Sequence, residues 1–286
     1  MIKNFALFLY KILFYFDFVL RAFANRSILI WFKDFLHNDS YQTLAILNYN
    51  IIFFVPNSVV QWRVNTFFSK EPETLEWIDN FKFFKDGVFW DIGANIGLYS
   101  IYASLKHKHL KVISFEPSTS NLRVLSRNIS INNLDNRITI NQFPLTDKEN
   151  QYLTMHESEF AEGAAMNSFG ENFGFDGINI NSKNNYKIFG TNINYLLDNK
   201  ILEIPDYIKI DVDGLEHFIL KGGNKYLNNK NIKSILIELN ENFNEQLNEV
   251  LYMLNSNGFN LKHKISADNS ALKNTFSGVY NYIFER

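Results

Sequence analysis

The sequence predicts an α/β protein in which a mostly parallel sheet is covered by helices on both faces. Two observations lead to this fold class. From residue 86 onward, short apolar runs alternate with segments whose apolar residues recur at helical spacing, which is the pattern of repeated strand–helix units. Several apolar runs also end in acids, namely Asp91, Glu116, Asp211 and Asp213, with Glu238 near the end of another. Because ligands bind at the carboxyl ends of parallel strands, these acids predict a binding site at that edge.

The alternating pattern yields seven strands and four helices in chain order. The predicted strands are 87–92, 111–117, 137–143, 206–214, 234–240, 259–264 and 277–286. The predicted helices are 97–105, 120–133, 215–223 and 242–258, the last with Gly258 at its C-cap. We place the domain at 68–286, after an extension over 1–67 in which 45–55 is either a strand pair or a buried segment. Residues 156–200, rich in Asn, Gly, Ser and Phe, interrupt the alternation as a long insertion.

The first 20 residues predict an amphipathic helix with a wide apolar face. At about 100° per residue, Lys3, Asn4, Lys11, Asp17 and Arg21 fall within an arc of roughly 140°, and the remaining arc is aromatic and aliphatic. The charges at Lys11 and Asp17 argue against a signal peptide and against a membrane span. Two alternatives stay open: the apolar face packs on the rest of the protein, or residues 1–25 lie on a membrane surface.

The composition excludes several classes of site. Lys and Arg total 28 against 30 Asp and Glu, so the basic footprint of a nucleic-acid-binding protein is absent and no nucleic-acid partner is expected. The chain has no cysteine, which excludes disulfides, cysteine metal sites and a cysteine nucleophile. A reducing compartment is compatible with this composition. We therefore expect a cytoplasmic protein, with the inner membrane face as the site of any peripheral association.

The turn after the first predicted strand of the domain carries the first ligand signal. It reads Asp91-Ile-Gly93-Ala94-Asn95-Ile-Gly97, with two glycines spaced four residues apart. It lacks the second glycine of the dinucleotide fingerprint and the Gly-Lys-Ser/Thr of a P-loop, so a pyrophosphate ligand is disfavoured. Gly93 allows the backbone to approach a ligand closely, and Asp91 can attract a cationic group.

Glu116, at the end of the next strand, completes this signal. An ionised carboxylate only accepts hydrogen bonds, and its two oxygens can bind the two hydroxyls of a ribose. A cofactor with a ribose, a cation and no phosphate is S-adenosylmethionine. The alternative is an ordinary strand-to-helix turn, which the acid at the end of the second strand makes the weaker interpretation.

Several segments resemble the FkbM-type methyltransferases, over roughly residues 68–240. The resemblance rests on EPETLEWIDNF (71–81), FWDIGANIGLYS (89–100), FEP (115–117), YIKIDVDGLEHFILKGG (207–223) and ILIELNE (235–241). It implies a Rossmann-like class I methyltransferase fold with S-adenosylmethionine as donor. It also implies O-methylation, commonly of a hydroxyl of a sugar or another secondary metabolite.

The resemblance also implies a set of cofactor-binding residues. They are Glu71, Asp91, Gly93, Ala94, Asn95, Gly97, Glu116, Asp147 and Asp211. The chain departs from the family pattern at Pro144, where a small residue usually precedes the Leu-Thr-Asp that ends at Asp147. This proline affects the backbone contacts expected near the adenine.

An acceptor hydroxyl must lose a proton during methyl transfer, and four residues are candidate bases: Asp211, Glu216, His217 and Glu238. Glu216 has an alternative role, because a carboxylate in the first turn of a helix is favoured by the helix dipole. The clustered acids could hold Mg²⁺, or could bind the cofactor amino group and the acceptor hydroxyls directly; we assign no metal ligand.

The insertion is predicted to cover the acceptor site with residues 156–175. Its amides, Phe and Tyr suit a sugar, and the alternative is a surface loop. The leading hypothesis is therefore an S-adenosylmethionine-dependent O-methyltransferase that acts on a sugar of a surface glycan or its lipid-linked precursor. Two other hypotheses are a nicotinamide-dependent oxidoreductase, which the glycine spacing disfavours, and a non-catalytic membrane-associated binding module with the same fold.

Overall fold

A computed structural model describes residues 1–83, 86–266 and 278–286, and its N-terminal part consists of helices and one hairpin. In chain order these elements are α1 (Ile2–Ala24), α2 (Leu29–Asn38), β1 (Tyr41–Ile46), β2 (Tyr49–Phe54), α3 (Ser58–Asn65), α4 (Phe67–Lys70) and α5 (Pro72–Asp79). β1 and β2 pair antiparallel across Leu47 and Asn48, whose φ values of 47° and 68° suit a tight hairpin turn. Of the two interpretations of residues 45–55, a strand pair or a buried segment, the structure shows the strand pair, which begins earlier, at Tyr41.

The remaining strands and helices alternate as the apolar pattern predicts. The strands are β3 (Gly87–Ile92), β4 (Leu110–Phe115), β5 (Ile138–Asn141), β6 (Gln151–Glu157), β7 (Asn167–Phe169), β8 (Asn184–Gly190), β9 (Tyr207–Ile210), β10 (Ser234–Asn240), β11 (Asn260–Ser266) and β12 (Val279–Glu285). The helices are α6 (Leu98–Lys106), α7 (Thr119–Ile131), α8 (Ile193–Asp198), α9 (Glu216–Lys221) and α10 (Asn244–Ser256). Every predicted element of the domain is present within a few residues of its expected ends. The predicted start of the last strand, at 277, lies outside the described residues.

The main sheet has seven strands in the order β5-β4-β3-β9-β10-β12-β11. Its strands are parallel except β12, which pairs antiparallel with both β10 and β11. The chain moves from β3 outward to β4 and β5, then returns to place β9 on the other side of β3. This reversal between β3 and β9 is the switch point at which open α/β sheets bind ligands. The predicted Rossmann-like fold is confirmed.

Burial of both faces explains why the strands read as continuous apolar runs. All six residues of β3 are buried. Its side chains alternate between two cores: Phe89 packs with residues of α6 and α7 on one face, and Trp90 packs with residues of α9 and α10 on the other. The sheet is thereby fixed between two helical layers, which holds the β3 and β9 ends rigidly side by side.

The insertion forms a second sheet instead of a surface loop. β6 pairs antiparallel with β7 on one side and β8 on the other. Met155, Phe169 and Leu215 form a small core of their own, which ties this sheet to the segment after β9. The insertion is therefore anchored beside the switch point.

Against the part of the domain that the structure describes, the N-terminal helix leaves its apolar face exposed, which does not support the packing alternative. Twelve large apolar side chains of α1 are each at least 45% exposed, from Leu9 at 45% to Phe23 at 89%. Asp17, placed by the helical periodicity on the polar face, is the buried residue of this helix. Among the described residues, no helix combines the length and the apolar character needed to cross a membrane.

Candidate functional site

The loop after β3 lies against the ends of both neighbouring strands. The backbone N–H groups of Gly93 and Ala94 donate to the Phe115 carbonyl oxygen at 3.0 and 2.9 Å. Gly93 has φ +86°, and a Cβ atom there would lie 1.8 Å from the Asp211 carbonyl oxygen. Only glycine fits this approach of the loop to the end of β9. Glycine is therefore required at position 93 because the loop contacts the backbone at the end of β9, whether or not a ligand also approaches it.

Three clefts open at this point, and they share Gly93, Asn95 and Asp211 as lining residues. The Glu116 cleft, of about 620 Å³, is lined by Phe115, Glu116, Pro144, Leu145, Met155 and Ile219 among others. The Glu71 cleft, of about 470 Å³, includes Arg63, Lys70, Glu71, Ala94, Tyr99 and Lys209. The Glu238 cleft, of about 1650 Å³, includes Trp62, Arg63, Lys70, Asp213 and Glu238.

Glu116 presents a carboxyl group at the wall of an otherwise largely apolar cleft. Its Oε2 accepts the Asn95 N–H at 2.7 Å and its Oε1 accepts the Ser118 N–H at 2.9 Å. Because each carboxylate oxygen has two acceptor positions, the carboxyl can accept two further hydrogen bonds, for which the neighbouring Asn121 side chain competes. Burial raises the pKa of Glu116 to about 8, although the two backbone donors act in the opposite direction.

Asn95 stands at the junction of the clefts with one polar atom unused. Its Nδ2 donates to the Ala164 carbonyl oxygen at 3.0 Å. Its Oδ1 is buried and has no hydrogen-bond partner within the part of the chain that the structure describes. A buried amide oxygen without a donor is costly, so this atom favours a ligand that brings an N–H or O–H group.

The Glu71 cleft carries opposite charges side by side. Lys70 forms an ion pair with Glu71, and the Tyr99 hydroxyl donates to Glu71 Oε2 at 2.7 Å. Burial alone would raise the pKa of Glu71, but Lys70 and Lys209 outweigh it and the pKa is lowered. Glu71 is therefore an anion at neutral pH, next to a cation that can bind a carboxylate.

A buried lysine organises the acids under these clefts. Lys209 is 1% exposed, and its Nζ donates to Asp211 Oδ2 at 2.7 Å. On the neighbouring strand, Asp91 pairs in register with Lys209 and accepts a hydrogen bond from Ser100 Oγ at 2.5 Å. Burial would raise the pKa of Asp211, yet Lys209 and Lys70 lower it below its usual value. Asp211 thus stays ionised at the junction of the clefts.

Replacing Lys209 by methionine is expected to lower the free energy of unfolding by about 3–5 kcal/mol, because Asp91 and Asp211 lose their buried cation. Urea unfolding of Lys209→Met measures this, with the exposed Lys187→Met on β8 as matched control. Adding Asp91→Asn to Lys209→Met should restore part of the loss. Equal unfolding midpoints for wild type and Lys209→Met would contradict this account of the network.

Asp211, Asp213 and Glu238 meet along one side of the Glu238 cleft. Burial raises the pKa of Glu238 well above its usual value, and the negative charges of Asp211 and Glu71 raise it further. Burial, with Asp211 second, raises the pKa of Asp213 to about 6. An ionised carboxylate, Asp211, therefore lies beside a carboxyl whose pKa is raised. Among the described residues, no cluster of three or more His, Asp or Glu side chains could hold a metal ion.

A segment of the insertion, residues 158–166, forms a strap that borders the clefts. Ala164 lines two of them, and its carbonyl oxygen accepts hydrogen bonds from Asn95 and Asn121 at 3.0 and 3.1 Å. Arg63 Nε donates to the Gly163 carbonyl oxygen at 2.6 Å, and the Met166 N–H donates to Asp213 Oδ2 at 2.7 Å. The insertion lies where the sequence predicted a cover, and acceptor binding there stays a prediction.

Glu216 and His217 lie away from the three clefts, and we revise their roles. Glu216 Oε1 accepts the Val212 and Gly214 N–H groups at 3.0 and 3.3 Å, so this carboxyl shapes the turn that carries Asp211. Burial raises the pKa of Glu216 to about 7. His217 stacks on Phe218 at 4.0 Å between ring centroids, and burial lowers its pKa to about 4. The helix starts at Glu216, which directs both side chains into the core.

Three predicted cofactor residues are also revised, because none lines the clefts. Asp91 is fully buried between Ser100 and Lys209, so its cation is a lysine of the protein. Gly97 caps α6, where a Cβ atom would lie 2.5 Å from Leu125 Cδ1. Asp147 is exposed, and the cleft wall nearby is Pro144 and Leu145.

Sequence reasoning missed the cations of the site. Arg63, Lys70 and Lys209 line the clefts, as do Tyr99 and Asn121. One signal was available: Lys209 interrupts the buried apolar run YIKI, where a charge needs a partner across the sheet. Arg63 and Lys70 lie in two short helices that carry no motif, one in the extension and one at the start of the domain.

Comparison with known proteins gives the family. The sequence model of the methyltransferase FkbM domain matches residues 91–261, more than half of the chain. The chain belongs to this family. Methyltransferase sdnD of Sordaria araneosa is 48% identical over 42 residues, which are 15% of this chain and only 16% of that relative's length.

Solved structures of this family and of other methyltransferases are also similar. Methyltransferase FkbM from Methylobacillus flagellatus KT has 18% identity and a TM-score of 0.44, over 78% of this chain and 53% of that one. M. jannaschii TYW2 in complex with AdoMet has 14% identity and a TM-score of 0.43, over 86% of this chain and 87% of that one.

Proposed function

We propose that this FkbM-family chain transfers a methyl group from S-adenosylmethionine to a hydroxyl oxygen of a saccharide. The observation that carries the proposal is the meeting of the three clefts at Gly93, Asn95 and Asp211. Two smaller clefts on either side of the glycine loop suit the two ends of one extended cofactor. The third and largest cleft gives an acceptor access to the same junction.

The residues of the smaller clefts fit the parts of S-adenosylmethionine. Glu116 has one acceptor position left on each oxygen for the two ribose hydroxyls, and Phe115, Leu145 and Ile219 supply apolar surface for the adenine. In the Glu71 cleft, Lys70 and Arg63 suit the carboxylate, while Glu71 suits the ammonium group. The unpartnered Oδ1 of Asn95 adds an acceptor between the two parts.

The protein's task in the reaction is to align the acceptor and remove its proton. When bound, S-adenosylmethionine supplies the methyl carbon, attached to a positively charged sulfur. Asp211, kept ionised by Lys209, can take the proton of the acceptor hydroxyl as the oxygen–carbon bond forms. Glu238, whose raised pKa favours the protonated form, can donate a hydrogen bond that orients the acceptor.

The Glu238 cleft favours a saccharide over an apolar acceptor. Its walls offer Arg63, Ser158, Glu159 and Lys183 as hydrogen-bonding partners for hydroxyls. Trp62, 36% exposed, provides one aromatic surface for the apolar face of a sugar ring. At about 1650 Å³, open solvent included, it is the largest of the three clefts.

Incubation of the protein with S-adenosylmethionine and a panel of free, nucleotide-linked and lipid-linked saccharides tests the proposal by mass spectrometry. We expect S-adenosylhomocysteine together with a saccharide that is heavier by one CH₂ group because one hydroxyl has become a methyl ether. Calorimetry runs in parallel. Failure to bind S-adenosylmethionine would overturn the proposal, and binding without turnover on any acceptor would favour the non-catalytic binding module.

A further inference from the structure

The two N-terminal helices form a unit that is held together by one buried carboxylate. Asp17 is 1% exposed, and its Oδ1 accepts the N–H groups of Ile28 and Leu29 at 2.7 and 3.1 Å. Its Oδ2 accepts Arg21 Nε at 2.6 Å. These bonds join the end of α1 to the start of α2, so the angle between the helices is fixed. We call residues 1–38 the helical platform.

The platform is attached to the domain through a few side chains of α2. The His37 ring lies 5.1 Å from the Phe54 ring, and Arg127 Nη1 lies 2.7 Å from His37 Nε2. Apart from the buried Leu29, most large apolar side chains of the two helices face outward. α2 alone exposes Ile30, Trp31, Phe32, Phe35 and Leu36, by 40–66%.

The exposed apolar surface of the platform is far larger than scattered surface residues would give. Twelve large apolar side chains of α1 and five of α2 are exposed. Contiguous apolar surface of this kind marks a contact with a protein or a membrane. On α1 the polar residues occupy roughly 140° of arc, so the apolar face extends over more than half of the helix circumference. A lipid layer can surround so wide an apolar face, whereas a single rigid protein partner would cover only part of it.

The charges of the platform favour a lipid surface over a second copy of the chain as the partner of this apolar face. Residues 1–38 carry five Lys or Arg and two Asp, a net charge of +3, in a chain whose net charge is -2. A second copy would bring the same cations against each other, since a two-fold interface joins identical surfaces. Anionic lipid headgroups complement the cations, and Lys3 and Lys11 can reach them from the edge of the apolar face.

We infer that the helical platform lies in the interfacial layer of an anionic lipid bilayer, with the aromatic faces of α1 and α2 immersed and Lys3, Lys11, Arg26 and Lys33 at the headgroups. Its length, its Phe, Leu and Trp content and its cations fit a helix that lies along a bilayer surface. The platform binds lipid whether or not the clefts hold a cofactor.

Flotation of the full chain with phosphatidylcholine vesicles, with or without phosphatidylglycerol, tests the inference. We expect the chain to float with the anionic vesicles and far less with the neutral ones. Trp31→Ser and Phe35→Ser should each weaken partitioning by about tenfold, because each removes one immersed aromatic side chain. Tyr252→Ser, at an aromatic side chain 74% exposed on α10, is the matched control and should float like the wild type.

Three outcomes would overturn the inference. One is equal flotation of wild type and both platform variants. Another is flotation that does not depend on phosphatidylglycerol or on Lys3→Gln and Lys11→Gln. The third is that the protein does not bind vesicles and instead forms a dimer in solution that the same aromatic substitutions dissociate. An independent measurement is quenching of tryptophan fluorescence by brominated lipid, which should be strong in the wild type and largely lost in Trp31→Phe.

Discussion

Asp211→Asn is expected to lower kcat for methyl transfer by about 10²–10⁴-fold, the contribution of a positioned general base. Asparagine keeps the size of the side chain and its place at the junction of the three clefts. It cannot take a proton from the acceptor hydroxyl. Lys209 retains Asp91 as a partner in the variant, so the protein should still fold. Single-turnover rates with saturating S-adenosylmethionine and acceptor measure the chemical step directly.

His217→Phe is the control for this variant. His217 is neutral at physiological pH, because burial lowers its pKa to about 4, and it stacks among Phe218 and Phe243. Phenylalanine preserves that packing, so kcat should stay within about twofold of the wild type. The outcome that would remove Asp211 from the role of base is a single-turnover rate in Asp211→Asn that equals the wild-type rate. A loss in His217→Phe as large as in Asp211→Asn would instead restore His217 as the candidate.

The sequence predicts the strands of the domain well because they are buried on both faces. Residues such as those of β3 can then be apolar without interruption, and each run ends where the strand meets the ligand edge. Gly93 and Glu116 were predicted for the same local reason, since their roles depend on the turn and the strand end that carry them. Periodicity and turn chemistry are sufficient for such residues.

Residues whose role depends on a distant neighbour could not be predicted in this way. Asp91 faces Lys209 only because β9, more than 100 positions later in the chain, inserts beside β3. The direction of Glu216 and His217 depends on the tight turn before α9, where Asp213 has φ +59°. Periodicity also gave α1 its polar arc, but not the turn after it, which buries Asp17 under the N–H groups of α2.

Glu116→Gln is expected to weaken S-adenosylmethionine binding by roughly 10- to 100-fold, the range for losing hydrogen bonds to a charged group. The Asn95 and Ser118 N–H groups already donate to the carboxyl oxygens, and the two ribose hydroxyls would bring the donors to four. Only an ionised carboxylate accepts all four. In the glutamine variant, an NH₂ group must face at least one of these donors.

The affinity for S-adenosylmethionine is expected to rise with pH because of the raised pKa of Glu116. The pKa of Glu116 is about 8 in the folded protein and 4.5 without burial, so the free protein holds this proton at neutral pH. Its contribution to folding stability is complete below 4.5 and is lost as pH rises through about 8. A ligand that needs the ionised form must release the proton. Affinity should therefore rise by up to about tenfold per pH unit between about pH 6 and pH 8, then level off.

Calorimetry in two buffers of different ionisation enthalpy measures both the affinity and the released proton. The amino group of S-adenosylmethionine titrates in the same pH range. The pH profile of the wild type is therefore compared with that of Glu116→Gln, in which the titration of the ligand persists and the contribution of Glu116 is gone. Glu171→Gln, at an exposed carboxylate of the insertion, should keep the wild-type pH profile because Glu171 lines none of the three clefts. Identical pH profiles for wild type and Glu116→Gln would mean that the ribose does not depend on this carboxylate.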